Sequence, residues 1–192
     1  SIKKIVYFSS SMVYGDFNGN TVNESTPCYP QTIYGRCKLT AEHLLLSSSM
    51  PNCIIRPSAI YGPQDTKMQV VGKFISQALK QEELLVSGGL TKLDFTYIDD
   101  VIRGTLFLIE NDQNGIFNLT RGNARSLIEL CEIIKTHVPD VGYTLVGADK
   151  DSEKRGTLDI SKLKHLGWQP QVDLEQGVQR YIERIKYENT FY

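Results

Sequence analysis

The chain has 192 residues, 41% of them hydrophobic, with 21 Lys and Arg against 22 Asp and Glu. That is enough apolar material to bury a core in one large domain or a domain with a small lobe. The even charge balance, with no long block of one sign, argues against a polyanion or a lipid surface as partner. The opening SIKKIVYFSS holds too short an apolar run for a signal peptide or a membrane span, and no later stretch approaches membrane-crossing length, so a cytoplasmic location is expected.

In chain order, IVYFSSSMVYG, from Ile5, begins as an apolar run of strand length and ends in polar and glycine-containing sequence. The stretch YGDFNGNTVNESTPCYPQ, Tyr14 to Gln31, reads as a loop. From Tyr34 to about Ser48, Tyr34, Lys38, Ala41 and Leu45 fall on one helical stripe, and CIIRPSAIYGP from Cys53 repeats the strand pattern. Two strands joined by a crossover helix make a β-α-β unit, with both strands expected to be buried in a parallel sheet.

Further on, Asp99 is expected to cap a helix that buries Ile102, Leu106 and Ile109, and GIFNLT supplies a strand. Ser126 and Glu129 form a capping-box pattern ahead of Leu127, Leu130, Cys131 and Ile134. LGWQP reads as a helix end at Gly167 with a stop at Pro170. After it, Asp173 precedes a last helix with Leu174, Val178, Tyr181, Ile182 and Ile185 on one side. The alternation of strands and helices makes the class α/β.

Cys28, Cys37, Cys53 and Cys131 are scattered, with neither zinc spacing nor a disulfide framework, and are read as reduced and mostly buried. His43, His137 and His165 have no partner pattern and are read as structural or surface residues. Trp168 is read as a packing anchor, and Arg56 as the salt-bridged end of a strand. No metal site is indicated.

The chemistry concentrates at QTIYGRCKLT. Tyr34 and Lys38 stand four apart, one turn along a helix face. An ordinary tyrosine titrates near 10 and is a feeble base at neutral pH, whereas an ammonium one turn away favours the phenolate, so the pair suits general acid/base work. Tyr-x-x-x-Lys alone is a weak signal. The hydroxyl-rich strand end FSSSMVYG strengthens it, because open α/β sheets place ligands at strand ends of this kind.

With these motifs the sequence resembles the extended short-chain dehydrogenase/reductase family, specifically the NAD-dependent sugar-nucleotide epimerases and dehydratases. Ser9 to Gly15 meets the family's Ser-Ser-x-x-Val-Tyr-Gly, and Glu24, Pro27, Pro30, Tyr34, Gly35 and Lys38 meet its run into Tyr-Gly-x-x-Lys. RPSAIYGP, DFTYIDDV, FNLTRG and LDISKLKHLGWQP follow in the family's order, so the resemblance spans the chain. It implies a partial Rossmann-like (doubly wound) parallel sheet over residues 1–62 and a small α/β substrate-binding lobe over 63–192, with elements around 94–119 returning to the sheet.

The resemblance also implies roles. Ser10 hydrogen-bonds the reacting sugar oxygen, Tyr34 is the acid/base, and Lys38 tunes Tyr34 and binds the nicotinamide ribose, with Pro57 near the nicotinamide. Ser11 and Gly156 are placed on the substrate side, Gly156 where epimerases carry a gate residue, and a small residue there would admit an N-acetyl group; Lys92 or Arg155 is the candidate to supply the diphosphate charge that Ala59 and Leu93 lack, the alternative for each being a solvated surface residue. The family's 4,6-dehydratases follow the catalytic hydroxyl with Asp and Glu; Ser11 and Met12 stand here, which favours 4-epimerisation through a transient keto-sugar over dehydration or reduction.

Two positions depart from the pattern, Ala59 for an asparagine and Leu93 for an arginine that grip the nucleotide diphosphate. The family's glycine-rich pyrophosphate turn has no counterpart in this sequence. The chain is therefore expected to be the C-terminal part of a longer enzyme, inactive alone, with an exposed sheet edge that invites association. A nucleotide-sugar substrate and a homodimer built partly from the Tyr34 helix are the expected partners. A non-catalytic binding or assembly module is the alternative of another class.

Overall fold

The structure, a computed structural model, describes residues 2–65, 69–147 and 155–190. In chain order its elements are β1 (Ile5–Phe8), β2 (Thr21–Val22), α1 (Ile33–Leu46), β3 (Asn52–Arg56), β4 (Ala59–Tyr61), α2 (Val70–Leu79), β5 (Leu84–Ser87), β6 (Lys92–Leu93), β7 (Phe95–Tyr97) and α3 (Ile98–Glu110). β8 (Gly115–Asn118), β9 (Arg125–Ser126), α4 (Leu127–His137), β10 (Tyr143–Val146), β11 (Thr157–Leu158), α5 (Ser161–His165) and α6 (Leu174–Thr190) follow. This is the α/β class expected.

The central sheet is parallel, in the order β1-β3-β8, with Val6 opposite Cys53 and Ile54 opposite Ile116. β1, α1 and β3 form the expected crossover unit. Of the two strands expected to be buried, β3 is, from Cys53 to Arg56, while β1 is only half-buried and Phe8 is exposed. The reason is position: β3 is flanked by strands on both sides, and β1 has one neighbour among the described residues. Short pairs tie the remainder together: β4 with β7, β5 with β10 and β2 with β11 in parallel, and β6 with β9 antiparallel.

Strand alternation sorts the two faces of β3. Cys53 and Ile55 point into a cluster with Val101, Leu108, Phe117, Leu119, Leu163 and Trp168. Trp168 is thus the packing anchor its motif suggests, and Gly167 adopts φ 97° while Trp168 N–H donates to Leu163 O, closing α5. Arg56 points the other way, towards α1. A larger core gathers α2, α4 and α6 around β5 and β7, including Leu130, Ile134, Val178 and Ile182, each contributing roughly 1.5–3 kcal/mol by burial. The Ser126/Glu129 capping box is formed, and Leu127, Leu130, Cys131 and Ile134 are buried as expected.

One helix, α3, turns a different face inward from the one its spacing suggests, and α1 buries little of any face. On α1 the stripe lies at the rim: Tyr34 is exposed and Lys38, Ala41 and Leu45 are half-buried, while the fully buried positions are Gly35 and Glu42. On α3, Ile102, Leu106 and Ile109 remain exposed, and Asp100, Val101, Gly104 and Leu108 face in. Gly104 decides this, because the core closes on its bare backbone: a Cβ there would stand 2.6 Å from Leu119 Cδ1 and 3.0 Å from Trp168 Cζ2. Asp99 is not the cap of α3 but lies in its first turn, since β7 runs straight into the helix and Tyr97 takes the cap position. Of the cysteines, Cys53 and Cys131 are buried, Cys28 is half-buried and Cys37 is exposed.

Candidate active site

The chain leaves β1 through Ser9, Ser10 and Ser11, still tied to the exit of β3: Ser9 N–H donates to Ile55 O and Ser11 N–H to Pro57 O, both at 2.7 Å. Ser10 then caps a single tight turn, Ser11–Val13, its Oγ accepting from Met12 N–H at 3.2 Å. The N-terminus of α1 lands on that turn. Thr32 caps the helix by accepting from Gly35 N–H at 3.1 Å, and Gly35 permits the approach, since a Cβ there would lie 2.6 Å from Met12 O. Tyr34, exposed at 52%, is therefore held beside Ser10 at the end of the strand.

Lys38, one turn along, reaches back over the same strand end. Its Nζ donates to Phe8 O at 2.7 Å and lies 5.5 Å from the Tyr34 ring centroid and 5.0 Å from that of Tyr7. Ser10 and Tyr34 line one cleft of about 880 Å³, together with Ser9, Ser11, Met12 and Pro57 from the same side. Val70, Val71, Thr91, Leu93, Phe95 and Arg155 line its other parts, with Ala59 and Ile60. Among the described lining residues Arg155 is charged and none is a carboxylate.

The remaining residues predicted for the site are placed as follows. Ser11 and Met12 line the cleft, and so do the apolar Ala59 and Leu93. Lys92 is exposed and outside the lining, because Thr91, just before β6, and Leu93 on it line the cleft and the residue between them points away. Gly156 is buried outside the lining as well, its missing side chain replaced by the backbone of Gly19 and Asn20.

Beneath the cleft lies a buried polar network centred on Glu42 and Arg56. Glu42 on α1 accepts from Ser9 Oγ and from Arg56, whose Nε is 3.0 Å from Oε1 and whose Nη2 is 2.5 Å from Oε2. The Arg56 guanidinium lies 4.8 Å from the Tyr14 ring centroid, and Tyr14 Oη donates to Asn118 Oδ1 at 2.7 Å. Burial pushes the Tyr14 phenol up to about 12, so it remains a donor. The Asn118 amide in turn donates to Asp159 O at 3.1 Å, reaching the end of β11. Arg56 is the salt-bridged end of β3 that its position suggests, and its partner Glu42, a carboxylate one turn beyond Lys38, is the member that sequence misses, because a lone Glu on a helix ordinarily reads as solvated.

A second buried carboxylate, Asp94, gathers the far wall. It accepts from Thr120 Oγ1, from the N–H groups of Gly122 and Asn123, and from Leu158 N–H. Burial pushes it up to about 6 against the pull of those four donors.

Residues 1–120 match the NAD dependent epimerase/dehydratase family, and the chain belongs to that family. A Methanocaldococcus jannaschii protein provisionally named a UDP-glucose 4-epimerase is 34% identical over 98% of this chain and 65% of its own length. Arabidopsis thaliana UDP-glucuronic acid decarboxylase 6 is 33% identical over 91% of this chain and 55% of its own. Among solved structures, the UDP-glucose 4-epimerase of Thermotoga maritima with UDP-glucose superposes with a TM-score of 0.90 at 26% identity, covering 98% of this chain and 65% of that one. The UDP-glucuronic acid 4-epimerase of Bacillus cereus, in complex with UDP-glucuronic acid and NAD, gives 0.88 at 27% over 98% and 63%. The chain thus spans 55–65% of the length of these curated relatives.

Proposed function

We propose that this chain carries the proton-transfer wall of an NAD-dependent enzyme that epimerises a sugar nucleotide at C4. One observation supports this above the others: Ser10 and Tyr34 line one cleft at the end of a parallel strand, with the Lys38 ammonium against the Tyr34 ring. In this reading Tyr34 Oη takes the proton of the sugar hydroxyl while Ser10 Oγ hydrogen-bonds the same oxygen. Lys38 stabilises the negative charge that the phenol oxygen carries between the two proton transfers. Once the keto-sugar has turned over in the cleft, Tyr34 returns the proton from the same position.

The lining does not oppose a dinucleotide, since Ser10 offers a hydroxyl and no described carboxylate faces a diphosphate. Tyr34, Lys38 and Pro57 are the residues of this chain assigned to NAD, which when bound supplies the hydride acceptor and donor. The rest of the dinucleotide site is assigned to sequence outside this chain. On the substrate side Arg155 is assigned to the diphosphate. Lys92 and Gly156 act, in this reading, from beyond the lining, Gly156 by letting the Gly19–Asn20 backbone pack beside Arg155.

Residues 1–62 are read as the cofactor side and 63–192 as mainly the substrate side. Ser11 and Met12 in the lining favour epimerisation, because neither supplies the acid and base that water elimination needs. The outer face of α1, where Ile33, Cys37, Ala41 and Leu44 form a shallow apolar groove with Arg36, is assigned to a homodimer.

The test is incubation of the protein in its full native length with UDP-hexoses and no added cofactor. Interconversion of 4-epimers is expected. Net NAD(P)H consumption or a 4-keto-6-deoxy product would instead make it a reductase or dehydratase. A protein that binds but converts nothing would be the non-catalytic module, a reading that draws on the apolar Ala59 and Leu93.

A further inference from the structure

We infer that Glu42 and Arg56 are positioning residues: a single buried ion pair, working with the Gly35–Met12 contact and the Ser11–Pro57 backbone bond, fixes the fine placement of Ser10, Tyr34, Lys38 and Pro57. This rests on the assignment of proton transfer to Ser10 and Tyr34. The argument is one of connectivity. Three separate chain segments supply that wall of the cleft, and each contributes one member of the pair's immediate network. Ser9, which donates to Glu42, is the residue before Ser10. Glu42 is on the helix of Tyr34 and Lys38, one turn beyond the lysine. Arg56, which donates twice to Glu42, is the residue before Pro57.

The pair is built like a fixture. Glu42 is 0% and Arg56 3% exposed, so neither is screened by water or free to adopt other partners. The two bonds from Arg56 define a plane as well as a distance, which restrains the rotation of α1 about its axis and its slide along β3. Those are the two motions that would carry Tyr34 away from Ser10. An apolar contact at the same place would define the register less sharply, and the apolar grip of α1 is slight: half-buried Leu39 packs against the Val13 cluster, while only Gly35 and Glu42 are fully buried along the helix. Burying an ion pair is a poor way to gain stability, since well-packed hydrophobic residues serve as well or better, and this points to placement as its use here.

The experiment separates placement from stability. The double variant Glu42→Met/Arg56→Met removes both charges together and keeps the volume, so it is expected to melt within a few degrees of the wild type. In the protein of full native length its kcat is expected to fall about ten- to hundredfold with KM changed by less than about threefold, as misplacement of reacting groups by a fraction of an ångström does. A well-folded double variant with wild-type kcat would overturn the inference.

Hydrogen exchange on the present chain gives a readout that needs no turnover. The amides of Ser11, Met12 and Gly35 are expected to exchange about tenfold faster in the double variant while the amides of α4 and α6 are unchanged. Unchanged exchange at all five places overturns the inference. If the wild type converts no sugar nucleotide, the functional assignment fails by itself and the exchange result still decides placement. If the double variant does not fold, Ser9→Ala removes only the hydroxyl link. A melting point equal to wild type with several-fold faster exchange at Ser11 and Met12 supports the inference, and wild-type exchange there refutes it.

Discussion

At the scale of single residues, the site depends on groups whose neighbours define their state. Asp94 is the sharpest case. Burial raises it to about 6, above the ordinary carboxylate value of an unfolded chain, so between roughly pH 4 and 6 the folded state holds a proton that the unfolded state has lost. Its contribution is therefore fullest at the acid end and is lost as pH rises through 6. The stability gap between wild type and Asp94→Asn, measured by urea unfolding, is predicted to widen by roughly 2–3 kcal/mol from pH 7 to pH 4. A gap that narrows on acidification would mean that the four donors outweigh burial. The same scale shows what the sequence could not tell: Asp94 and Glu42 look like ordinary surface carboxylates until the chain segments that surround them are brought together.

At the scale of elements, strands and capping signals were legible and helix faces were less so. The Ser126/Glu129 box, the Gly167 stop and the parallel β1-α1-β3 unit follow from local chemistry that tertiary packing does not disturb. The inward face of α3 is not the one its spacing suggests, and α1 and α3 share the reason why spacing leaves a helix face open. Each helix carries apolar residues on more than one side, and in each a glycine, Gly35 or Gly104, fixes the docking side by admitting backbone or a large ring at short range. Apolar spacing does not register that effect, because glycine adds nothing to a hydrophobic stripe.

The unburied stripe of α1 carries its own expectation. Ile33 is 80% and Leu44 67% exposed, eleven residues apart on one face, which is the spacing of a helix seam. If two copies pair there, Leu44→Glu places a like charge near its symmetry mate and is predicted to convert a dimer to a monomer in light scattering, with the melting point of the monomer core little changed. A wild-type chain that is already monomeric, or a variant that stays dimeric, would remove α1 from the interface.

At the scale of the whole molecule, the α/β class and the family are legible because the motifs recur in order along the whole chain, and each falls where strands, turns and helices converge. The three serines leave β1, the Tyr-Gly-x-x-Lys turn begins α1, and Pro57 follows β3, so residues far apart in sequence meet at one strand end. The substrate side was less legible. Strand alternation puts Lys92 on the outer side of β6, and close backbone packing accounts for Gly156, neither of which a motif comparison registers. Among the described residues no helix is long and apolar enough to cross a membrane.

The central claim is that the Tyr34 hydroxyl moves the proton. Its most direct test is steady-state kinetics of Tyr34→Phe in the protein of full native length on the UDP-hexose that the wild type turns over. The predicted result is a fall in kcat of about 10²- to 10⁴-fold with KM nearly unchanged and the melting point preserved, since an exposed hydroxyl contributes little to folding. A kcat within about threefold of wild type would contradict it and move the proton transfer to another group.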